Sequence, residues 1–234
     1  MNKEFEFETY LNISPHEFEI FLFDKKKYQN FYEEKLKIIN SNDYIDLDLL
    51  IKFLDENIFK IEKLIGKFVK NIILTIDCNK VLNLNFGIKK KNYQKTIDKN
   101  FLENLLTDAK NLFKESYQND KIMHLIVKKY IIDDNEHFLF QKNFKGNNFC
   151  IEVEFISIPI NYLFEINKVL EKYQIKIVEY YDTNYIKNLF KAEDIAFSEM
   201  VFRVQNGFIE NEVKLIPKNL KKTGFFEKFF QLFS

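Results

Sequence analysis

The chain has 234 residues, of which 46% are hydrophobic and 30% are charged, so it is long and apolar enough to fold around a sizeable core. Its 35 lysines and arginines balance its 35 aspartates and glutamates, which argues against the positive field that attracts a protein to nucleic acid. No apolar run reaches the ~20 residues that a membrane span needs, and the first residues show no basic-then-apolar leader. We therefore expect a protein of the cytoplasm without a nucleic-acid partner.

The first half of the chain is predicted to combine strands with two helices. Period-2 patterns predict five strands, over residues 5–13, 17–24, 31–38, 71–77 and 80–88. The first helix is predicted over residues 46–65, with Asp46 as its N-cap and an apolar stripe formed by Leu50, Phe53, Leu54, Ile58, Ile61 and Ile65. The second is predicted over residues 99–117, and its inward-facing side chains are Leu102, Leu105, Leu106, Ala109, Leu112 and Phe113.

Residues 121–158 are predicted to form three strands separated by turns. In the first, residues 122–130 alternate between two faces, as a strand requires. An acidic turn leads into a second strand, residues 137–141, and a polar turn leads into a third, residues 150–158. Consecutive strands joined by short turns predict a small β-meander in one antiparallel sheet.

The last third of the chain is predicted to return to a mixture of helix and strand. Pro159 opens a helix that extends to Tyr173, residues 175–181 form a strand, and the poorly patterned residues 184–206 are helical. A last strand is predicted over residues 211–216. Because strands and helices intermix along the chain, the fold class is predicted to be α/β (α+β mixed).

A pattern inside the central stretch resembles a known family. The pattern is His124-Leu125-Ile126-x-x-x-Tyr130-Ile131-Ile132-Asp133. It resembles the strand by which FtsA proteins of bacterial cell division enter their inserted, non-actin subdomain. Other parts of the chain resemble, in order, the family's elements around that insertion, namely residues 48–64, 71–77, 101–114 and 170–177. The resemblance covers most of residues 9–190.

The resemblance implies a domain organisation. It implies a partial actin-like (ribonuclease H-like) lobe of residues 1–78 and 159–216, interrupted by an inserted interaction subdomain, a β-meander with a helix, over residues 79–158. It further implies a linker, residues 217–223, and an amphipathic membrane-targeting helix, residues 224–234. The second actin-like lobe of the family has no counterpart in this sequence.

The phosphate turns of actin-like ATPases are altered or missing here. In that superfamily the first turn reads Asp-x-Gly-Thr/Ser and wraps the nucleotide phosphates with backbone amides, and the matching positions here are Asn12, Ser14 and Pro15. Asparagine lacks the negative charge, and proline lacks an amide donor. The second, glycine-rich turn is missing, since the five glycines are dispersed and no Gly-x-Gly occurs. We therefore expect no ATP binding, no cofactor and no enzymatic activity.

No set of side chains forms a catalytic or metal-binding motif. The histidines and cysteines, none of which stands in a spaced ligand pattern, are His16, His124, His137, Cys78 and Cys150. We interpret His124 as a hydrogen-bonded structural histidine and the cysteines as buried reduced thiols, with a disulfide or ligand pair as the alternative. The acidic residues 133–136 are interpreted as a hairpin turn, and a site for a hard cation is the alternative.

The C-terminal residues carry the clearest functional pattern. On a helical wheel, one arc of roughly 160° holds Phe225, Phe226, Phe229, Phe230, Leu232 and Phe233. The nearby cationic residues are Lys221, Lys222 and Lys228. Such a helix is too short to span a membrane and suits the interface of an anionic one, while the alternative is that it packs into an apolar groove of its own chain. FtsA-like proteins end in a similar helix, which favours binding to the inner face of the cytoplasmic membrane.

These observations predict a non-catalytic, membrane-associated cell-division protein of the divisome or septum. We expect it to act as a scaffold or adaptor at mid-cell, on the cytoplasmic side of the cell membrane, and to bind other division proteins or itself through residues 79–158. The alternative is a membrane-recruited protein-interaction module unrelated to division, since the division interpretation depends on family resemblance alone. A nucleotide-binding enzyme is the weakest alternative, because the glycine-rich turns are missing.

Overall fold

The computed structural model describes residues 7–39, 43–141 and 144–213. Across these residues the elements are, in chain order, β1 Phe7–Ile13, β2 Glu17–Asp24, β3 Gln29–Lys37, α1 Leu47–Ile65, β4 Asn71–Ile76, β5 Leu82–Lys91, α2 Lys99–Ser116, β6 Asp120–Ile132, β7 Asn135–His137, β8 Asn148–Pro159, α3 Ile160–Glu171, β9 Lys176–Asp182, α4 Thr183–Leu189 and α5 Phe197–Gln205. They form two compact units. The first unit contains the described residues up to 81 and residues 158–208, and the second contains residues 82–157 and the described residues from 209 onward.

The first unit is built on a five-stranded sheet with the strand order β3-β2-β1-β4-β9. Strand β2 lies antiparallel to both β1 and β3, whereas β1, β4 and β9 are parallel to one another. A mixed sheet with this order and these directions is the ribonuclease H-like arrangement of an actin-like lobe. The mixed α/β class that the sequence predicted is therefore confirmed.

Helices pack on both faces of this sheet because its central strands are apolar on both faces. Strands β1, β2 and β4 are buried along most of their length. Successive side chains of a strand point to opposite faces. On one face the ring of Phe18 lies 6.0 Å from that of Phe53 in α1, and on the other the ring of Phe23 lies 5.3 Å from that of Phe202 in α5.

Helix α1 begins and ends close to the residues that the sequence predicted. The Asp46 side chain accepts a hydrogen bond from the Leu49 N–H at 2.9 Å, and Gly66 adopts a left-handed φ of 66° just after the last turn. The buried apolar side chains of the helix are Leu50, Phe53, Leu54, Ile58 and Ile61. Each contributes about 1.5–3 kcal/mol by leaving water, so this stripe holds α1 on the sheet.

The second unit is a four-stranded sheet, in the order β5-β8-β6-β7, with α2 contributing to the core on one of its faces. Strands β5 and β8 are antiparallel and stay in one register over the whole length of β5. The core is strongly aromatic. Phe155 of β8 stacks on Phe113 of α2 with ring centroids 4.9 Å apart, and it meets the edge of Phe86 in β5 at 5.5 Å.

The predicted β-meander is wrong in two respects. Strand β8 lies between β5 and β6 rather than beside β7. In this position the strand packs under α2, and every second side chain lies in the core, namely Phe149, Ile151, Val153 and Phe155. Strand β7 has only three residues, and residues 138–141 do not form the predicted strand. Beyond it the ring of Phe140 packs instead on Tyr130 and Phe144, which turns the chain away from the sheet.

Two smaller features differ from, or add to, the sequence-based expectations. The sequence places Leu112 on the inward face of α2, but it is 44% exposed, because it lies at the margin of a stripe whose end the ring of Phe113 fills.

Residues 211–213 extend beside β6. The Val127 N–H donates to the Asn211 carbonyl at 2.8 Å, and the Val213 N–H donates to the Leu125 carbonyl at 2.7 Å. These residues belong to the second unit, and the boundaries of the inserted subdomain stay an interpretation of the family resemblance.

Candidate functional site

The carboxyl ends of the three parallel strands of the first unit lie at the same edge of the sheet. In open α/β sheets, ligands bind in the crevice outside the carboxyl ends of parallel strands. Polar residues lie close to these ends, since Asn12 is opposite Thr75 in the pairing of β1 with β4, and Thr183 comes directly after β9. This edge also carries the turn that the sequence analysis aligned with the first phosphate turn of actin-like ATPases.

The side chains at this edge bond to one another, and we call Asn12, Glu19, Thr75 and Thr183 the Asn12 cluster. Asn12 is 1% exposed. Its Nδ2 donates to Glu19 Oε2 at 2.8 Å. Its Oδ1 accepts from Thr75 Oγ1 at 2.9 Å and from Thr183 Oγ1 at 2.8 Å. Both acceptor positions of the amide oxygen and one of its two N–H donors are therefore used inside the protein.

The negative charge of Glu19 is balanced by a lysine. Glu19 is 8% exposed, and its second oxygen, Oε1, accepts from Lys35 Nζ at 2.6 Å. Lys35 also contacts Glu17 Oε2 at 2.7 Å. Burial acts to lower the pKa of Lys35, but the carboxylates of Glu17 and Glu19 more than offset burial, so the pKa is raised. The amide oxygen of Asn12 and both carboxylate oxygens of Glu19 are therefore bonded to protein groups.

The turn between β1 and β2 also satisfies its own backbone. The Ser14 N–H donates to the Glu17 carbonyl at 2.9 Å. The Ser14 hydroxyl oxygen accepts from the N–H groups of His16 and Glu17 at 3.2 and 3.0 Å. Pro15, between them, has no N–H to offer. The amides that would wrap a phosphate in an actin-like ATPase are occupied by protein acceptors.

The residues that follow β4 are also tied to their neighbours. The Asn184 side chain donates to Asp77 Oδ1 at 2.7 Å, and the Asp77 N–H donates to the Ile13 carbonyl at 3.0 Å. Cys78 is half-buried rather than fully buried, and burial raises the pKa of its thiol. A thiol with a raised pKa is a poor nucleophile. Cys150, in the second unit, is also half-buried, and neither cysteine forms a disulfide with a described residue.

The structure places His124 as the sequence analysis interpreted it. It is 2% exposed, and its Nδ1 lies 2.7 Å from Glu212 Oε1. The structural interpretation of His124 is therefore confirmed. Sequence reasoning missed Glu212, because it lies 88 residues away along the chain, in a region with no strong pattern.

The acidic turn after β6 is held by backbone amides. The Asp133 carboxylate accepts from the N–H groups of Asn147 and Asn148, at 3.0 and 2.8 Å, and these bonds lower the pKa of Asp133. Asp133 and Asp134 have φ values of 45° and 68°, as in the two-residue turn of a tight hairpin. Among the described residues, no group of three or more histidine, cysteine or acidic side chains is placed to hold a metal ion.

The predicted membrane-binding residues lie outside the described residues. They are Lys221, Lys222, Phe225, Phe226, Lys228, Phe229, Phe230, Leu232 and Phe233. Of the helices in the described part of the chain, none is both long enough and apolar enough to cross a membrane.

Comparisons with known proteins identify similar folds. No protein-family model and no curated protein matches the sequence. The structure of a PilM–PilN type IV pilus biogenesis complex is similar, with a TM-score of 0.50 and 9% sequence identity. The similarity covers 78% of this chain and 49% of the chain in that structure. The chain thus spans about half the length of that solved structure. A similarity at this level of identity shows a shared fold, and with the strand order of the first sheet it agrees with a partial actin-like lobe.

Two further solved structures are similar at lower scores. The cytoplasmic domain of EpsL, an inner membrane component of the type II secretion system of Vibrio cholerae, covers 76% of this chain and 59% of its own, with a TM-score of 0.38 and 8% identity. A Bacteroides thetaiotaomicron protein of unknown function, described as having an actin-like ATPase fold, covers 80% and 56%, with a TM-score of 0.35 and 13% identity. None of the three is described as a cell-division protein.

Proposed function

We propose that this protein is a non-catalytic, membrane-associated scaffold or adaptor of cell division that resembles FtsA. The observation that carries the proposal is the closure of the Asn12 cluster. The edge where an actin-like ATPase holds its nucleotide is filled here by four side chains that bond to one another. A lobe that keeps the actin-like sheet without its nucleotide site is suited to present surfaces to partners.

The charge and the amides of this edge support the absence of catalysis. Asn12 is neutral, so it cannot supply the carboxylate that lies near the metal in actin-like ATPases. The hydroxyl of Ser14 takes the two N–H groups that would otherwise face a phosphate. Without a charge for the metal and without amides for the phosphate, both requirements for nucleotide chemistry at this turn are missing.

Protein partners are the second part of the proposal. The solved PilM–PilN structure is a complex of two proteins, and we extend to this chain only the expectation of a protein partner. We place the contact with other division proteins, or with a second copy, on residues 79–158. The division role rests on the resemblance of residues 124–133 to FtsA. The alternative is a membrane-recruited interaction module unrelated to division, and it is supported by the similarity to a complex of pilus biogenesis.

We expect no saturable ATP binding at the Asn12 cluster. In an isothermal titration with ATP and Mg²⁺, the heats should equal those of dilution at every concentration up to the millimolar range. The physical reason is that phosphate would have to break hydrogen bonds that the turn already makes. An actin-like ATPase titrated under the same conditions is the positive control. A saturable isotherm would overturn the expectation that this turn binds no ATP.

We expect residues 224–234 to recruit the protein to the membrane. An N-terminal fluorescent fusion should form a mid-cell band, and removal of residues 224–234 should make the signal diffuse.

In vesicle sedimentation, Phe229→Glu should lower affinity for anionic vesicles about tenfold or more, because it puts a charge on the aromatic face. Gln231→Ala, on the polar face, is the matched control and should bind normally. A uniform membrane outline would favour the alternative unrelated to division, and a diffuse intact fusion would contradict both.

A further inference from the structure

Strand β5 forms one border of the sheet in the second unit. Its one neighbour in the described sheet is β8, and among residues 7–39, 43–141 and 144–213 no strand pairs with its other edge. It is long for a border strand, from Leu82 to Lys91, and its register with β8 has no bulge. A straight, long edge with open backbone groups is a template for another strand.

The backbone groups that face outward can be assigned. The Asn92 N–H donates to the Asn147 carbonyl at 2.7 Å, in continuation of the register that pairs Lys91 with Asn148. In an antiparallel pair, alternate residues point their N–H and C=O toward the partner. Residues 82, 84, 86, 88, 90 and 92 therefore bond to β8. In agreement, the Asn148 carbonyl accepts from the Asp133 N–H, on the β6 side of β8. The outward residues are Asn83, Asn85, Gly87, Lys89 and Lys91.

Most of this edge lacks the features that normally prevent pairing. Proteins protect border strands with proline, with bulges, or with charges along the strand. Over residues 82–88, β5 has no proline and no charged side chain, and it stays in register. Its apolar side chains Leu84 and Phe86 are only partly buried against the core, so an added strand would complete their burial.

The charges on β5 are concentrated at one end. Lys89, Lys90 and Lys91 follow one another, and all three are exposed. Lys90 forms an ion pair with Asp108 of α2. Lys89 and Lys91 lie on the opposite face, at two of the outward backbone positions. This end of the edge repels a basic strand and attracts an acidic one.

We propose that β5 binds an extended, acidic segment of a partner protein by adding it as a strand to the second unit. The added strand lies antiparallel to β5, since antiparallel pairs are slightly more stable per residue. Its N-terminal end then lies beside Lys89–Lys91 and carries the acidic residues. Backbone hydrogen bonds supply affinity, and the lysines set direction and partner choice. This inference rests on the proposed function, in which the second unit binds protein partners. It adds to that function the chemistry of the partner segment.

The test uses the full chain and two labelled decapeptides. One has three glutamates followed by seven alternating threonines and valines, and the other has the same residues in reverse order. In fluorescence anisotropy at low salt we expect saturable binding of the peptide that begins with glutamates, and about fivefold weaker binding of its reverse. Binding of both peptides with equal affinity would contradict the proposed direction, and binding of neither would overturn the proposal.

Gly87 provides matched variants for the edge. Gly87→Pro removes one outward N–H without touching a hydrogen bond to β8, and proline is tolerated at such edge positions. Gly87→Ala keeps the N–H, and its new Cβ would meet only Cys150 Sγ at 3.9 Å and Glu152 Cγ at 4.0 Å. We expect Gly87→Pro to weaken the glutamate-first peptide about fivefold or more and Gly87→Ala to leave its affinity unchanged. Equal affinity for both variants would show that the peptide does not bind at this edge.

Two further measurements separate the alternatives. Lys89→Glu combined with Lys91→Glu should abolish the preference for the glutamate-first peptide, and a preference that survives would overturn the role of the lysines. Analytical ultracentrifugation should show that the intact chain does not dimerise through β5. A dimer that Gly87→Pro dissociates would mean that this edge pairs with a second copy of the chain instead of a partner protein. Membrane recruitment through residues 224–234 is measured separately, so loss of peptide binding with intact recruitment contradicts only this inference.

Discussion

Replacement of Asn12 by aspartate is expected to destabilise the first unit by about 3–5 kcal/mol at neutral pH. The change introduces the aspartate that the sequence analysis expects at the first turn of actin-like ATPases, but here it removes the Nδ2 donor to Glu19. Two buried carboxylates would then face each other across about 2.8 Å, which is now the length of the hydrogen bond from Asn12 Nδ2 to Glu19 Oε2. Urea unfolding followed by circular dichroism gives the free energy, and hydrogen exchange with mass spectrometry locates the loss in β1, β2 and β4.

The variant should also become sensitive to pH in a defined direction. Two carboxylates held together must share a proton, so the folded state binds more protons than the unfolded chain. Stability therefore falls as pH rises and is regained as pH is lowered. The matched control combines Asn12→Asp with Glu19→Gln, which exchanges donor and acceptor and should recover most of the loss. A single variant as stable as the wild type would show that the Asn12 cluster is open to water.

Replacement of Phe155 by alanine is expected to lower the free energy of unfolding of the second unit by about 3–5 kcal/mol. Phe155 is completely buried, and its ring stacks on Phe113 and meets the edge of Phe86. Removal of the ring leaves a cavity between β8 and α2 and breaks the aromatic contacts to Phe113 of α2 and Phe86 of β5. Urea unfolding measured on the intact chain, with hydrogen exchange of β5, β6 and α2, reports the effect.

The matched control is Phe138→Ala. Phe138 follows β7 and is 65% exposed, so the same change of residue type removes little buried surface. We expect a change in stability below about 0.5 kcal/mol. Equal losses in the two variants would mean that Phe155 does not lie in a packed core, and the order of strands in the second sheet would then be wrong.

Local patterns were sufficient for most of the first unit. The period-2 runs of β1, β2 and β4, the N-cap at Asp46 and the helical stripe of α1 each lie within a few residues along the chain, where propensity and side-chain direction decide the outcome. The altered phosphate turn was also visible in the sequence, since Asn12 has no negative charge and Pro15 has no amide N–H. What these residues do instead was not visible.

Contacts between distant residues were beyond prediction from one sequence. Asn12 and Thr183 are 171 residues apart, and His124 and Glu212 are 88 residues apart, so no local pattern connects them. The alternation of β8 shows which of its side chains face a core but not which strands lie beside it. The meander was therefore wrong although two of its three strands were present, because strand order depends on packing under α2 rather than on order along the chain.

The pairing of β6 with residues 211–213 has a consequence for synthesis on the ribosome. His124 is translated 88 residues before Glu212, and Thr183 reaches Asn12 only after the whole inserted segment has been made. Domains usually fold as they emerge, the N-terminal one first. Here each unit gains a buried side-chain contact only after a distant residue has been made. The strands of residues 7–37, which pair with one another, are therefore made long before the last contacts of either unit can form.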